Sequence, residues 1–188
     1  MPGMPIIGTS VDREARRPLV LTALGALRTD AWALSGAKVL VTGSRGFFGR
    51  YLVEALLELN RSGSQWHKTI PWKPIHIVAA DSYAVGNDEP RVEEWQNEPN
   101  LTLWRCNVAH SSGLLFGSQR FTHIWHLAGI ASPYWYKKLP EETIAVAVDG
   151  TRNMLQYARE HKAKFMFTSS SEVYATASVI PTPESYIG

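Results

Sequence analysis

Residues 38–49 read Lys-Val-Leu-Val-Thr-Gly-Ser-Arg-Gly-Phe-Phe-Gly, and no other stretch limits the fold as much. Lys38–Thr42 is a short apolar run rich in β-branched residues, the pattern of a buried parallel strand. Glycines follow at once at 43, 46 and 49. Then Tyr51, Leu52, Leu56 and Leu57 mark a helix that ends near Asn60 and Gly63. A strand that turns on glycine straight into a helix is the fingerprint of a dinucleotide phosphate site. Gly43 allows the tight turn, Gly46 lets the backbone approach a pyrophosphate, and Gly49 brings helix and strand together. The helix N-terminus adds free amide donors and a partial positive charge.

The rest of the chain repeats the alternation. Apolar runs at Ile75–Ala79, Leu101–Arg105, His123–Leu127 and Lys164–Thr168 read as strands. Glu142–Glu160 reads as one long helix with Ile144, Val148, Met154, Leu155 and Ala158 on one face. Strands alternating with helices imply right-handed βαβ units. The expected fold is therefore α/β: a Rossmann-like, doubly wound parallel sheet of about five strands over residues 37–188. Residues 1–36 read as an N-terminal helical arm. Its helix, over Arg17–Trp32, would turn Leu19, Leu21, Leu24, Leu27 and Trp32 toward the domain, with Ser10 or Asp12 as the cap. Arg61–Lys73 reads as an extended loop.

Composition excludes several classes. At 45% hydrophobic and 19% charged, the chain can bury a core and is not disordered by composition. A net charge of +2, with no dense Lys/Arg cluster, is no nucleic-acid footprint. No apolar run approaches the ~20 residues that span a bilayer, and no secretory signal opens the chain. With Cys106 the single cysteine, there is no internal disulfide framework, and a cytoplasmic location is expected. His110, His123, His161 and Cys106 lack metal-ligand spacing, so no metal is expected. His126, between Trp125 and Leu127, reads as a packed, hydrogen-bonded strand residue rather than an acid–base group.

Asp81 ends the second strand, where an acid accepts hydrogen bonds from the adenosine ribose. It lies 32 residues past Gly49 rather than the usual ~20, the surplus falling in the Arg61–Lys73 loop. The other reading of Asp81 is a turn-capping aspartate. A carboxylate here favours NAD over NADP, because it repels a 2′-phosphate. Arg45, inside the glycine turn, argues the opposite way.

Together these motifs resemble the extended short-chain dehydrogenase/reductase (NAD-dependent epimerase/dehydratase) superfamily over Ala37–Gly188. Thr42–Gly49 (TGSRGFFG) is similar to its TGxxGxxG turn, His126-Leu-Ala128 to its fourth-strand signature, and Ser169–Tyr174 to its fifth-strand segment. Within that superfamily the chain looks most like the UDP-glucuronate decarboxylase (UDP-xylose synthase) group. The matching stretches are His126–Tyr136, Gly150–Leu155 and Pro181–Gly188.

The resemblance implies NAD as cofactor and a UDP-sugar as substrate. The reaction would be oxidation at C4, decarboxylation and re-reduction at C4. Gly43, Gly46, Phe47, Phe48 and Gly49 would line the pyrophosphate, Asp81 the ribose, Asn107 the adenine, and Leu127 and Ala128 the rest of the cofactor. Ser132 and Tyr136 would line the sugar-nucleotide pocket. Ser170 and Glu172 would be the catalytic groups. Departures from the pattern are Ala147 in place of Asn and Ala175 in place of Gly. The superfamily's YxxxK pair does not follow Tyr174 within the sequence. The one Tyr–Lys pair at that spacing is Tyr134–Lys138, after the fourth strand.

By that comparison the sixth strand and substrate lobe are missing, and the chain is expected to be inactive alone. Its partner would be a C-terminal half or a second copy. The alternatives are a non-catalytic NAD-binding or regulatory module, or part of a nucleotide-sugar 4-epimerase or 4,6-dehydratase.

Overall fold

A computed structural model describes residues 10–26, 30–63, 71–85, 95–110 and 116–187. Five strands are seen: β1 (Lys38–Thr42), β2 (His76–Asp81), β3 (Leu101–Arg105), β4 (His123–His126) and β5 (Lys164–Phe167). α1 (Ser10–Ala26) precedes them, and between them run α2 (Phe47–Ser62), α3 (Pro133–Lys138), α4 (Pro140–Ala145) and α5 (Thr151–His161). All strand pairs are parallel, in the order β3-β2-β1-β4-β5. β1 is central, with Val39 opposite Ile77 on one side and His123 on the other. The fold is thus the Rossmann-like sheet expected from the sequence.

Side chains alternate between the faces of a strand, so the unbroken apolar run of β1 must be covered on both. Val39 and Val41 face a cluster with Val53, Leu56 and Leu57 of α2 and Val20 and Leu24 of α1. Leu40 faces the opposite cluster, with Val78, Ile124, Phe116, Phe121 and the α5 residues Met154 and Tyr157. One sheet therefore carries two cores.

Two helices differ from the sequence expectation. In α1 the buried side chains are Arg16, Val20 and Leu24, spaced by four, while Leu19 and Leu21 are exposed. Leu27 lies outside the described residues, as do the side chains of Ser10 and Asp12. Trp32 sits in a short 3₁₀ turn and meets the edge of Trp72 at 5.4 Å between ring centres. Charge accounts for the rotation of α1. Arg13 bonds Glu54 at 3.0 Å and also Glu98, and Arg17 lies 3.7 Å from Glu58. Glu54 and Glu58 are themselves buried on α2. Any face that points Arg13 and Arg17 at these acids carries Val20 inward with them.

The expected single helix over 142–160 is in fact α4, a π-helical segment Val146–Gly150, and α5. Met154 and Ala158 are buried, but Ile144, Val148 and Leu155 are exposed. A π turn inserts an extra residue and rotates everything after it, so one 3.6-residue stripe cannot run through. The bulge ends at buried Gly150, where an added Cβ would stand 3.0 Å from Val108 Cγ2.

Glu54 also accepts the indole N–H of Trp95 at 2.6 Å, so it ties three segments together. Replacing it with alanine strands a buried indole donor and part of a guanidinium. Glu54→Ala is expected to lower unfolding free energy by about 3 kcal/mol in urea denaturation. Arg17→Ala, at a mostly exposed and longer pair, is expected to change it by less than about 1 kcal/mol.

Candidate functional site

The chain leaves β1 through a turn in which backbone meets backbone. Gly43 has φ +66°, and a Cβ there would lie 2.7 Å from the Leu127 carbonyl carbon. A Cβ on Gly49 would lie 2.2 Å from Gly43 O. Neither position tolerates a side chain without moving main chain. The Gly46 N–H donates to Gly43 O at 3.0 Å, and the Ser44 N–H donates to Ala80 O of β2 at 3.2 Å. The turn is thereby bonded to β2 and packed against the main chain that follows β4. Gly46 is the N-cap of α2, at φ −65° and ψ 172°, and no side chain caps it. The first-turn amides of a long helix thus face the cleft side without an intrahelical acceptor. That is the arrangement an oxyanion requires.

The cleft beside this turn sits over the ends of β1, β2 and β4, where the order of strands reverses direction in sequence. Open α/β sheets bind ligands there. Gly43, Gly46, Asp81, Asn107, Leu127 and Ala128, all expected cofactor residues, line it together. Asp81 accepts two backbone N–H groups, Arg45 at 3.0 Å through Oδ2 and Tyr83 at 2.9 Å through Oδ1. Asn107 Oδ1 accepts the Ala109 N–H at 3.0 Å. Cys106, also in the lining, has its thiol pushed up to about 11 by burial, with the charge of Asp81 adding to the effect.

His126 braces the floor. It is fully buried, with Nδ1 2.7 Å from Thr42 Oγ1 and Nε2 3.2 Å from Thr151 Oγ1. The same Thr42 hydroxyl accepts the Ala128 N–H at 3.3 Å. β1, β4 and α5 are thus joined through one imidazole, as the packed reading of this residue requires. Burial lowers the His126 pKa to about 4.

The remaining expected residues lie elsewhere. Gly49 is buried beneath the turn, and Phe47 and Phe48 are 73% and 67% exposed, stacked edge to face at 5.2 Å. Only the main chain of these two residues belongs to the α2 N-terminus that faces the cleft. Ser132 is the N-cap of α3, which carries Tyr136. Ser170 accepts the Glu172 N–H at 3.2 Å and caps the 3₁₀ turn Ser171–Tyr174. Ser132, Tyr136, Ser170 and Glu172 do not line the cleft. The Tyr134–Lys138 pair is a hydrogen bond within exposed α3, ammonium to phenol oxygen.

Glu142 and Val146 do line the cleft and were not anticipated. Their place depends on the break between α4 and the π segment, for which the sequence carries no local signal. Tyr83 and Arg105 flank it; Arg105 is the register partner of Asp81, visible only once β2 and β3 are known to pair. Among the described residues no group of three or more His, Cys, Asp or Glu side chains can hold a metal, and no helix is long and apolar enough to cross a membrane.

A parallel sheet with a glycine turn at its switch point defines a Rossmann-like nucleotide-binding protein. Residues 39–187 match the NAD dependent epimerase/dehydratase family, and the chain belongs to that family. UDP-glucuronic acid decarboxylase 3 of Arabidopsis thaliana is 35% identical over 162 residues, covering 86% of this chain and 42% of that protein. UDP-glucuronic acid decarboxylase 1 of Xenopus tropicalis is 29% identical over 80% of this chain and 31% of its own length. The chain thus spans less than half of the curated relatives it matches. Among solved structures, a UDP-galactose 4-epimerase superposes with TM-score 0.60 at 26% identity, over 80% of this chain and 44% of that one. UDP-glucose 4-epimerase from Bifidobacterium longum, in complex with NAD+ and UDP, superposes with TM-score 0.58 at 21% identity, over 79% and 41%. The latter likeness is one of fold.

The buried imidazole makes stability depend on pH. Between about pH 6.5 and 4 the unfolded chain protonates this histidine while the folded chain does not, so stability falls as pH falls through that window. The expected loss is on the order of 3 kcal/mol at most. His123, whose pKa is lowered by burial and by Lys164, adds in the same direction. Urea melts of the native chain and of His126→Gln across this range isolate the contribution. The variant is expected to show the shallower pH slope even though it is less stable at pH 7.

Proposed function

We propose that this chain is the dinucleotide-binding portion of a nucleotide-sugar-modifying enzyme of the UDP-glucuronate decarboxylase type. Residues 37–188 form the cofactor domain and residues 1–36 its helical arm. The observation that carries the reading is the convergence on one cleft of the Gly43–Gly46 turn, the uncapped α2 N-terminus, Asp81 and the Leu127–Ala128 segment. It is supported by the names of the curated relatives, and by an epimerase of the same fold described with NAD+ and UDP.

In this reading the amides of the first turn of α2 hold the pyrophosphate. Asp81 stands at the adenosine ribose, Asn107 near the adenine, and Leu127 and Ala128 along the nicotinamide half. A bound nicotinamide dinucleotide supplies a hydride acceptor and donor. Ser170, whose oxygen caps the next turn, keeps its hydroxyl proton free to donate toward a substrate oxygen. Glu172 offers a carboxylate two residues on, suited to moving a proton in decarboxylation or dehydration. Ser132 and Tyr136 border the sugar-nucleotide side. Within the 188 residues no Tyr–Lys pair accompanies Ser170 and Glu172, so the polypeptide by itself is expected to bind cofactor without turning substrate over.

Titration calorimetry with reduced and oxidised nicotinamide dinucleotides tests the reading. The full chain is expected to bind one equivalent. Gly43→Ala, which forces a Cβ into the Leu127 main chain, is expected to weaken binding by at least about tenfold, the scale of a displaced hydrogen-bonding backbone. Saturating dinucleotide is also expected to raise the melting temperature of the native chain. Absence of any binding by a folded native chain would exclude the proposal.

A further inference from the structure

The adenosine end of the cleft carries charge that the dinucleotide reading leaves unused. Tyr83 follows Asp81 by two residues in a left-handed conformation, φ +59°, rare for a non-glycine residue and a mark of local constraint. Its ring has a guanidinium near it from each of two elements. Arg45, from the glycine turn, stands 4.7 Å from the ring centre, and Arg105, from the end of β3, stands 5.3 Å from it. Among the described residues neither arginine is paired with a carboxylate. Two positive charges are thus gathered on one aromatic ring, and among the described residues Asp81 is the acid nearest to them in the fold, bonded to the main chain of Arg45 and Tyr83.

Asp81 is itself committed. One carboxylate oxygen holds the Arg45 N–H and the other holds the Tyr83 N–H. These two bonds set the main chain that carries Arg45 and Tyr83, so the aspartate acts as a brace for the arginine-bearing loops. A carboxylate at the end of the second strand argues by itself for an unphosphorylated ribose. Here, among the described residues, two guanidinium groups stand near one carboxylate, and both of its oxygens already serve the backbone. A guanidinium packed on a ring keeps its in-plane N–H donors free at the edge, the fork that matches a phosphate. A phosphate monoester, at about −1.5 to −2 near neutral pH, balances the pair.

We propose that this ring and its two arginines form a 2′-phosphate site, so that the chain takes NADP(H) in preference to NAD(H). The proposal rests on the dinucleotide reading above and specifies which member of that cofactor class is chosen. Arg45 is the principal determinant, because it is half-buried and lies beside Gly46 at the pyrophosphate turn. Arg105 is exposed and contributes the second fork.

Fluorescence titration of the full chain with NADPH and with NADH tests this. The dissociation constant for NADPH is expected to be at least about tenfold lower, the worth of one or more hydrogen bonds between charged groups. Adenosine 2′,5′-bisphosphate is expected to displace NADPH more effectively than ADP. Arg45→Gln is expected to reduce the NADPH-to-NADH affinity ratio by about ten- to a hundredfold, and Arg105→Gln to reduce it in the same direction by less. Arg152→Gln, at an exposed pair with Asp149 on another element, leaves the ratio unchanged. Should Arg45→Gln fail to fold by circular dichroism, the Arg105→Gln ratio and the bisphosphate competition decide the matter. NADH binding as tightly as NADPH, or a ratio indifferent to the arginines, overturns the 2′-phosphate site and leaves the dinucleotide reading standing. Binding of neither dinucleotide removes both.

Discussion

The structure hangs on a place where three stretches of main chain meet with nothing between them. Gly43 presses on the Leu127 main chain, and Gly49 brings the first turn of α2 onto the Gly43 carbonyl. This contact fixes the end of β1 against the end of β4 and aims α2 along the sheet. The cleft exists because these segments touch here and diverge above. Any side chain in the contact would move the helix N-terminus away from the switch point, and the cleft would lose its polar wall along with its shape. Thr42 and His126 continue the same seam one layer lower, where a hydroxyl and an imidazole take over from bare backbone.

The two faces of the sheet are held differently. On the α5 side the packing is aromatic: Phe116, Phe121 and Tyr157 meet at ring separations between 5.5 and 5.9 Å. On the α2 side an apolar layer is fastened at its rim by acids. Glu54 and Glu58 are buried four residues apart on one helix; Glu54 is met by Arg13 of α1 and by Trp95, and Glu58 by Arg61 of α2 itself at 3.3 Å and by Arg17 of α1 at 3.7 Å. An isolated buried acid is costly, so these carboxylates are tolerable only with their guanidinium and indole partners in place. Burial of Glu54 is therefore coupled to docking of α1 through Arg13, whereas Glu58 also has a partner on its own helix.

Much of this was legible in the sequence. Strands and the glycine turn were readable because their signals are local: β-branched apolar runs, and glycine where only glycine fits. Six residues of the cleft lining could be named: Gly43, Gly46 and Asp81 from the glycine turn and the acid that closes the second strand, and Asn107, Leu127 and Ala128 through the resemblance. The helices were less readable for equally definite reasons. Leu19 and Leu21 fit a helical stripe, but ion pairs forty residues away in sequence chose a different face of α1. The stripe from Ile144 to Ala158 was broken by a π turn set by Gly150 against Val108, a contact between distant segments. Tyr83 and Arg105 escaped notice because only the β2–β3 register reveals that they converge. Ser170 and Glu172 were named through resemblance, and in the fold they sit on an exposed turn after β5 rather than in the cleft.

Cys106 gives the cleft a further property. It is the sole thiol in the chain and lies in the cleft lining, with its pKa held near 11. At neutral pH only about one molecule in ten thousand carries the thiolate, the form that reacts with alkylating reagents. The thiol is only half-buried, so what quiets it is chemical and not steric: the poorly solvated wall of the cleft and the nearby carboxylate both disfavour a second negative charge. The same wall that would receive a ligand thus keeps its own nucleophile protonated.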